Sequence, residues 1–360
     1  MSGKHLKEFE DLNTTTKNIY NLEDNDVLII LKDGTNLTSW EDVEWKSYFL
    51  GDDFNDDIIF ITEDLSDFTD LNRKYAHLES LEAVIITEMA EKPDNLKEMF
   101  SGCRSLKYIQ FMEDWDVSDT KSMEGMFADC RSLDDFSDLK DWDVSNTVNM
   151  KGMFESCESL MDLSFLKDWD VSNVRNMDEM FSGCWYLTDL AALKNWDVSN
   201  VTGMWSMFGY CPHLKDLSPL AGWDVSNVTN MWSMFEDCNN LSDISGLKKW
   251  DVSNLANTFC MFRNCRNLTD LSPLKDWDVS SVSNMGWMFC ECGIISDLSP
   301  LKDWDVSNVR QMDCMFSDCT NLGDLSCLDN WDVSNVEDME NIFENCDSIT
   351  RYPKWYEMSR

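Results

Sequence analysis

The sequence predicts an α/β repeat solenoid, in which each turn of the chain buries its apolar side against the turns before and after it. The prediction rests on a 27-residue period that runs without insertion or deletion from Phe100 to Phe343. A cysteine follows each of these phenylalanines by three places, and a tryptophan recurs from Trp115 to Trp331. A fixed period of this length is the sequence signature of stacked repeats.

The first half of each repeat is predicted to be extended. In the repeat that begins at Cys238, apolar residues are spaced three apart and then alternate. This pattern predicts short strands near 241–244 and 250–252. Such strands pair in parallel with their equivalents in the next turn, about 4.8 Å away.

The second half of each repeat is predicted to contain a short helix. Across 228–235, apolar residues fall at i, i+3, i+6 and i+7, which is one face of a helix, and Ser226 or Asn227 precedes them as an N-cap. Two of these positions are methionine columns, exemplified by Met231 and Met234. Methionine fills irregular spaces in a core, so packing is the expected role of both columns.

The ends of the chain depart from the period. We expect residues 1–98 to form an N-terminal α+β capping or accessory module, 99–350 a solenoid of about ten units, and 351–360 a C-terminal cap. Within the first module, strands are predicted near 26–31 and 58–61, and 78–86 resembles a degenerate first repeat. An independent binding domain is the alternative for this module.

The net charge of -39 restricts the partners. It excludes an ordinary nucleic-acid binder, which needs lysine and arginine to neutralise phosphate, and it disfavours anionic membranes. A basic protein would be attracted. No apolar run is long enough for membrane insertion, and the first ten residues lack a signal-peptide pattern, so the sequence predicts a cytoplasmic protein.

The repeats resemble the BspA-type leucine-rich repeat surface protein family. The pattern that carries this resemblance is Trp-Asp-Val-Ser-Asn-Val-x-Asn-Met-x-x-Met-Phe-x-x-Cys-x-x-Leu, as at 169–187 and 223–241. The resemblance implies a curved leucine-rich-repeat-like solenoid that recognises proteins or surfaces. It also implies a cell-surface location as the alternative to the cytoplasm.

Cysteines and aspartates also recur as columns. Ten of the fourteen cysteines lie in the repeat column, which indicates free structural thiols rather than a disulfide framework. One aspartate column runs from Asp116 to Asp332 and another from Asp135 to Asp324. We expect both columns to accept backbone N–H groups at turns, with calcium binding as the alternative. No cofactor is otherwise predicted.

Nothing in the sequence indicates catalysis. The three histidines accompany no nucleophile motif, and glycine-rich phosphate loops and zinc-ligand spacings are absent from the sequence. We therefore expect a protein that is not an enzyme.

Aromatic residues interrupt the polar positions in the middle of the array. Those predicted to bind a partner are Trp205, Trp232, Phe259, Trp287, Trp185, Tyr186 and Tyr210. The period places the first three on consecutive turns, so they form an aromatic stripe with an acidic surround, as is typical of recognition surfaces. The alternative is that these rings only pack on one another or on the N-terminal module.

These observations together predict a non-enzymatic protein-binding scaffold that presents an aromatic, acid-rimmed surface on a rigid solenoid. One alternative is an acidic nucleic-acid mimic, or an immunity-type inhibitor, that occupies a basic protein. A cell-surface adhesin is the other.

Overall fold

The predicted solenoid is confirmed by the computed structural model, which describes residues 28–31, 36–37, 58–65, 73–89, 92–110 and 112–358. Parallel single bridges join equivalent residues of successive turns from Asn95 to Asp338, in steps of 27 residues. Backbone bonds also join successive turns; the Arg73 N–H, for example, donates to the carbonyl of Lys97 at 3.0 Å.

Five strands form a sheet at the N-terminal end: β1 (Leu28–Leu31), β2 (Asn36–Leu37), β3 (Ile58–Leu65), β4 (Ala83–Met89) and β5 (Tyr108–Gln110). Their order is β2-β1-β3-β4-β5, with β3, β4 and β5 parallel and β1 antiparallel to both neighbours. The strands predicted at 26–31 and 58–61 are therefore present, and 78–86 begins the stacked turns. Ile61 of β3 is fully buried, so this strand continues the core beyond the first turn.

The strands predicted at 241–244 and 250–252 are not formed: of these residues only Asp243 makes a bridge, to Asp216. Between the two segments, just before the tryptophan, lies a 3-10 helix, and other repeats have one at the same place. These helices are Met112–Asp114, Ser137–Asp141, Ser164–Leu166, Ala191–Asn195, Ser218–Gly222, Ser245–Lys249, Ser272–Leu274, Ser299–Leu301 and Ser326–Leu328. From the helix Ser137–Asp141 onward, an aspartate lies two residues before the first residue of each 3-10 helix and accepts its backbone N–H. Asp243 Oδ1, for example, accepts the Ser245 N–H at 2.8 Å. This local bond turns the chain and replaces the extended conformation.

The segment 228–235, predicted to be helical, is instead a run of turns bonded to the next repeat. The N–H groups of Met231, Ser233, Phe235 and Asp237 donate to carbonyls 26 residues ahead, at 2.8–3.0 Å. Ser233 and Asp237 adopt left-handed backbone conformations, with φ of 54° and 57°. Bonds between turns offset the strain of these conformations, and they remove the donors that an α-helix would use.

Three stacked columns make the core. Successive phenylalanine rings from Phe100 to Phe343 lie 5.6–6.0 Å apart. From Trp142 to Trp331, each indole N–H donates to a carbonyl of the preceding turn at 2.8–3.1 Å. From Cys130 to Cys346, each cysteine of the column donates its S–H to the phenylalanine carbonyl of the preceding turn, as Cys211 does to Phe181 at 3.2 Å. Cys103 donates to the Tyr75 carbonyl instead. The cysteines are free, as expected, and burial raises the pKa of the column thiols.

Aromatic residues outside the period cover both ends of the core. Tyr75 stacks on Phe100 at 5.3 Å. Helix α1 (Lys354–Met358) carries Trp355, which stacks on Trp331 at 6.4 Å and donates to the Leu328 carbonyl at 2.8 Å. Trp355 thus takes the place of the next tryptophan in the column.

Candidate functional site

An open cavity of about 670 Å³, here called the central cavity, lies in the middle repeats, on the side where segments such as 231–237 donate backbone bonds to the next turn. Four of its lining residues, Glu155, Ser182, Glu236 and Arg263, hold one position of the 27-residue period, and the buried Gly209 holds that position in the turn between Ser182 and Glu236. The small residues Ser182 and Gly209 lie between larger charged ones. The depression therefore arises because two consecutive turns lack a bulky side chain at this position.

Three stacked aromatic rings form one side of the central cavity. The Trp205 and Trp232 rings are 5.2 Å apart and nearly parallel, and Phe259 meets Trp232 edge to face at 5.8 Å. Trp232 is 38% exposed, and the other two rings are half-buried. The rings predicted to form a stripe therefore pack on one another and also remain accessible.

Backbone and side-chain contacts fix this aromatic side. The Trp205 N–H donates to Asp178 Oδ1 at 2.9 Å. The Lys151 ammonium lies 5.1 Å from the centre of the Trp205 ring and 3.2 Å from the Glu179 carboxylate. Gly286 makes room for Phe259, because a Cβ at Gly286 would lie 3.1 Å from the phenylalanine ring. The orientation of the rings is thus set before any partner binds.

At one end of the cavity an arginine is enclosed by acidic and aromatic groups. Arg263 donates to Glu236 at 2.8 Å and to Glu291 at 2.9 Å, and its guanidinium lies 5.4 Å from the Trp287 ring centre. Burial opposes its charge, but the bonds to both glutamates outweigh that cost and raise the pKa of Arg263. Its Nε is buried without a hydrogen-bond partner.

Tyr210 lies beside the same acidic group. Glu236 is 5% exposed and also accepts the Ser233 hydroxyl at 2.5 Å. Burial, followed by the charge of Glu236, raises the pKa of Tyr210 to about 12, so the phenol stays neutral. At this end of the cavity both carboxylates, those of Glu236 and Glu291, are therefore bonded to Arg263.

The opposite end is less well compensated. Among the described residues, the Glu155 carboxylate has no hydrogen-bond or ion-pair partner. Burial, and then repulsion from Glu179, raises the pKa of Glu155. An acidic group without a partner, lining a cavity beside aromatic rings, can receive a donor or a cation.

Five of the seven aromatic residues singled out from the sequence line the central cavity, namely Trp205, Tyr210, Trp232, Phe259 and Trp287. Trp185 and Tyr186, each 50% exposed, lie elsewhere and pack against His213 at 6.1 and 5.6 Å. The charged members Glu155, Glu179, Glu236 and Arg263 were not identified from the sequence. Glu155, Glu236 and Arg263 share one column, and reading it at 27-residue intervals would have shown the change from small to charged residues; Glu179 belongs to a different column.

Both aspartate columns bind backbone amides, as expected. In the column from Asp116 to Asp332, each Oδ1 accepts the N–H two residues later at 3.0–3.1 Å. The column from Asp135 to Asp324 does the same at 2.7–3.0 Å. Within the described ranges, no three His, Cys, Asp or Glu residues are grouped to hold a metal ion. Nor does that part of the chain contain a helix with the length and apolarity to cross a membrane.

Comparison with known proteins identifies related repeats. The family described as Mycoplasma protein of unknown function, DUF285, matches residues 68–188, 160–273, 187–297 and 239–356. A leucine-rich repeat protein from Eubacterium ventriosum is 13% identical, with a TM-score of 0.35 over 93% of this chain and 96% of that one. The mouse RP105/MD-1 complex is 12% identical, with a TM-score of 0.25 over 74% of this chain and 41% of that one. A search of curated proteins found no significant match.

Proposed function

This chain belongs to the DUF285 family, and we propose that it is a non-enzymatic scaffold that binds a partner protein through the central cavity. The observation that carries the proposal is the contiguous stack of Trp205, Trp232 and Phe259, partly exposed on one side of a cavity of about 670 Å³. Accessible aromatic clusters of this kind are enriched at the energetic centres of protein interfaces.

The bonding of the repeats supports this role. Each turn donates several backbone bonds to the next, so the cavity is built on a regular ladder rather than on free loops. Because the rings are already stacked on one another and the Lys151 ammonium lies 5.1 Å from the Trp205 ring centre, binding would cost little side-chain entropy. The structure therefore suits rigid display of a preformed surface.

Charge favours a basic partner. The chain carries a net charge of -39, and three glutamates line the cavity against one arginine. Such a field raises the rate of encounter with a cationic protein. The same charge supports a second candidate, an acidic mimic of nucleic acid that occupies a basic cleft without using the aromatic rings.

Resemblance of the repeats to the BspA-type family favours recognition at a cell surface, which makes an adhesin the third candidate. In that case the partner is displayed outside the cell. Partner capture should therefore be tried from both a lysate and intact cell surfaces.

The test compares three tagged proteins at low and high salt, after nuclease treatment. These are the wild type, the double variant Trp205→Ala/Trp232→Ala and the control Met161→Ala, which removes a side chain that is 62% exposed and outside the cavity. We expect one partner that survives high salt, is lost in the double variant and is kept by the control. Capture that salt abolishes and the double variant retains would refute the proposal in favour of the acidic mimic.

A further inference from the structure

We infer that the central cavity receives an arginine side chain, carried by an extended basic segment of the partner, with its guanidinium at Glu155. The inference rests on the proposed function, because it names the chemistry of the partner at the same site. It follows from three features of the cavity: its unequal charge, its size and an arginine site that the chain has already built at the other end.

The charge at the Glu155 end is uncompensated. At the far end Arg263 bonds Glu236 and Glu291, and Arg266 lies 3.9 Å from Glu291, so two cations face two carboxylates. Near Glu155, by contrast, Lys151 pairs with Glu179 at 3.2 Å, and its attraction for Glu155 is smaller than the repulsion from Glu179. A half-buried carboxylate without a partner is costly, and a cationic donor is the group that best removes the cost.

The surroundings favour arginine over lysine. The Ser182 and Ser206 hydroxyls lie 3.3 Å apart on the cavity lining and can accept further hydrogen bonds close to the glutamate. A guanidinium offers five N–H donors in a planar fork, whereas an ammonium offers three from one point. The long apolar stem of arginine also packs along aromatic rings such as those of Trp205 and Trp232.

The protein's own Arg263 provides the template. Its guanidinium lies 5.4 Å from the Trp287 ring centre and bonds two glutamates. At the Glu155 end the cation over the tryptophan is Lys151, which pairs with Glu179, so Glu155 lacks the guanidinium that Glu236 and Glu291 share. The inferred guest therefore reproduces an arrangement that the fold already stabilises.

The size of the cavity indicates a segment rather than a single side chain. About 670 Å³ is within the range of sites that hold small ligands and is several times the volume of one arginine side chain. Neighbouring residues of the partner therefore also enter, along the line of turns. A neutral glycan could use the rings and the hydroxyls, but it would leave Glu155 without a counter-charge.

The test measures fluorescence anisotropy of labelled peptides at about 0.15 M salt. Three peptides share a Gly-Ser background and carry three arginines, three citrullines or three lysines. Citrulline is the neutral isostere of arginine, so it isolates the charge. We expect the arginine peptide to bind about tenfold more tightly than the citrulline peptide and more tightly than the lysine peptide.

Two protein variants locate the effect. Glu155→Gln should weaken binding of the arginine peptide about tenfold. Glu340→Gln removes one exposed charge elsewhere, so binding should stay within about twofold of wild type. Thermal melts followed by circular dichroism establish that both variants are folded.

Several results would overturn the inference. Equal affinity for the arginine and citrulline peptides would do so, as would an equal loss in both variants, which would show only long-range attraction. Binding of neutral oligosaccharides that depends on Trp205, without arginine binding, would identify a glycan site instead. If no peptide binds, arginine recognition fails, while the capture experiment with Trp205→Ala/Trp232→Ala still decides the proposed function independently.

Discussion

Replacing Gly246 by alanine should push two turns of the solenoid apart. Gly246 is buried in the 3-10 helix Ser245–Lys249, and a Cβ there would lie 1.9 Å from the carbonyl oxygen of Leu217 in the preceding turn. These two turns approach closely because the Leu217 N–H donates directly to the Asp243 carbonyl at 2.9 Å. An equivalent side chain is accepted elsewhere, as at Ala192, where this direct bond is not formed.

The expected cost follows from that geometry. Separating the turns breaks the backbone bond of Leu217, which contributes about 0.5–1.5 kcal/mol. Strain from the inserted methyl group in a packed interior adds about 1–3 kcal/mol, reduced by any shift of the backbone. We therefore expect Gly246→Ala to destabilise the affected turns by about 2 kcal/mol.

Gly222→Ala is the matched control, since Gly222 ends the 3-10 helix of the preceding turn. The nearest atom to its added Cβ would be the Lys194 carbonyl oxygen, at an ordinary 3.7 Å. This variant should be neutral, or more stable by about 0.4–1 kcal/mol because the unfolded chain becomes less flexible.

Hydrogen exchange and urea unfolding together measure the effect. A loss of about 2 kcal/mol corresponds to about 30-fold faster exchange of the Leu217 amide, and the urea midpoint should fall. Exchange is read by segment because a repeat array loses its turns separately. If Gly246→Ala and Gly222→Ala show the same urea midpoint and the same exchange rate at the Leu217 amide, Gly246 does not lie as close to the Leu217 carbonyl as argued above.

Three further predictions concern the core and its charges. Trp223→Phe removes the indole hydrogen bond to the buried Leu193 carbonyl at 3.0 Å, so thermal melting should show a loss of about 1–3 kcal/mol in the free energy of unfolding. Trp185→Phe, at a half-exposed ring, is the control and should lose little. In the folded protein at pH 8, at most one of the fourteen thiols should react quickly with a disulfide reagent. Cys327 is the only described cysteine that is not buried, so Cys327→Ser should abolish that reaction. Burial, and then the hydrogen bond and charge of Glu113, raises the pKa of Asp138 to about 6. Because the folded protein holds this proton more tightly than the unfolded chain, its stabilising effect is full below about pH 4 and is lost as the pH rises through about 6. Asp138→Asn should flatten this dependence and add about 1 kcal/mol or less at pH 7, after allowance for solvent screening.

Each of these predictions has a contrary result. Equal melting losses for the two tryptophan variants would show that the indole bond contributes nothing. Rapid reaction of several thiols in the folded protein would contradict the buried column. An equal pH dependence of stability between about pH 4 and 6 in wild type and Asp138→Asn would show that the pKa of Asp138 is not raised by folding.

The sequence alone was sufficient for the repeat but not for the conformation within it. Exact spacing places Phe100 and its equivalents in one column whatever the local structure. The helix expected at 228–235 was wrong, because apolar residues three apart fit consecutive turns as well as a helix. The left-handed conformation of Ser233 has no signal in its residue type, since bonds to the next turn, not intrinsic preference, stabilise it.

The candidate site was visible only where it breaks the repeat. Trp205 and Trp232 stand out because large apolar residues are unusual at positions that other turns fill with polar ones. Glu155 and Arg263 are ordinary at exposed positions, so their residue types gave no signal. Their relation to the cavity depends on the small side chains of Ser182 and Gly209 between them, which is a property of neighbouring turns rather than of one segment.

The regular ladder from Asn95 to Asp338 also has a mechanical consequence. Nearly the same set of backbone bonds attaches each turn to the next, with exceptions such as the added Leu217–Asp243 bond, so the molecule is a series of similar mechanical elements. Pulled from its two ends, it should lengthen in discrete steps as single turns detach. Each released turn of 27 residues supplies about 90 Å of extended chain. A protein built in this way yields to a tensile load one turn at a time, and the turns that remain attached keep their shape.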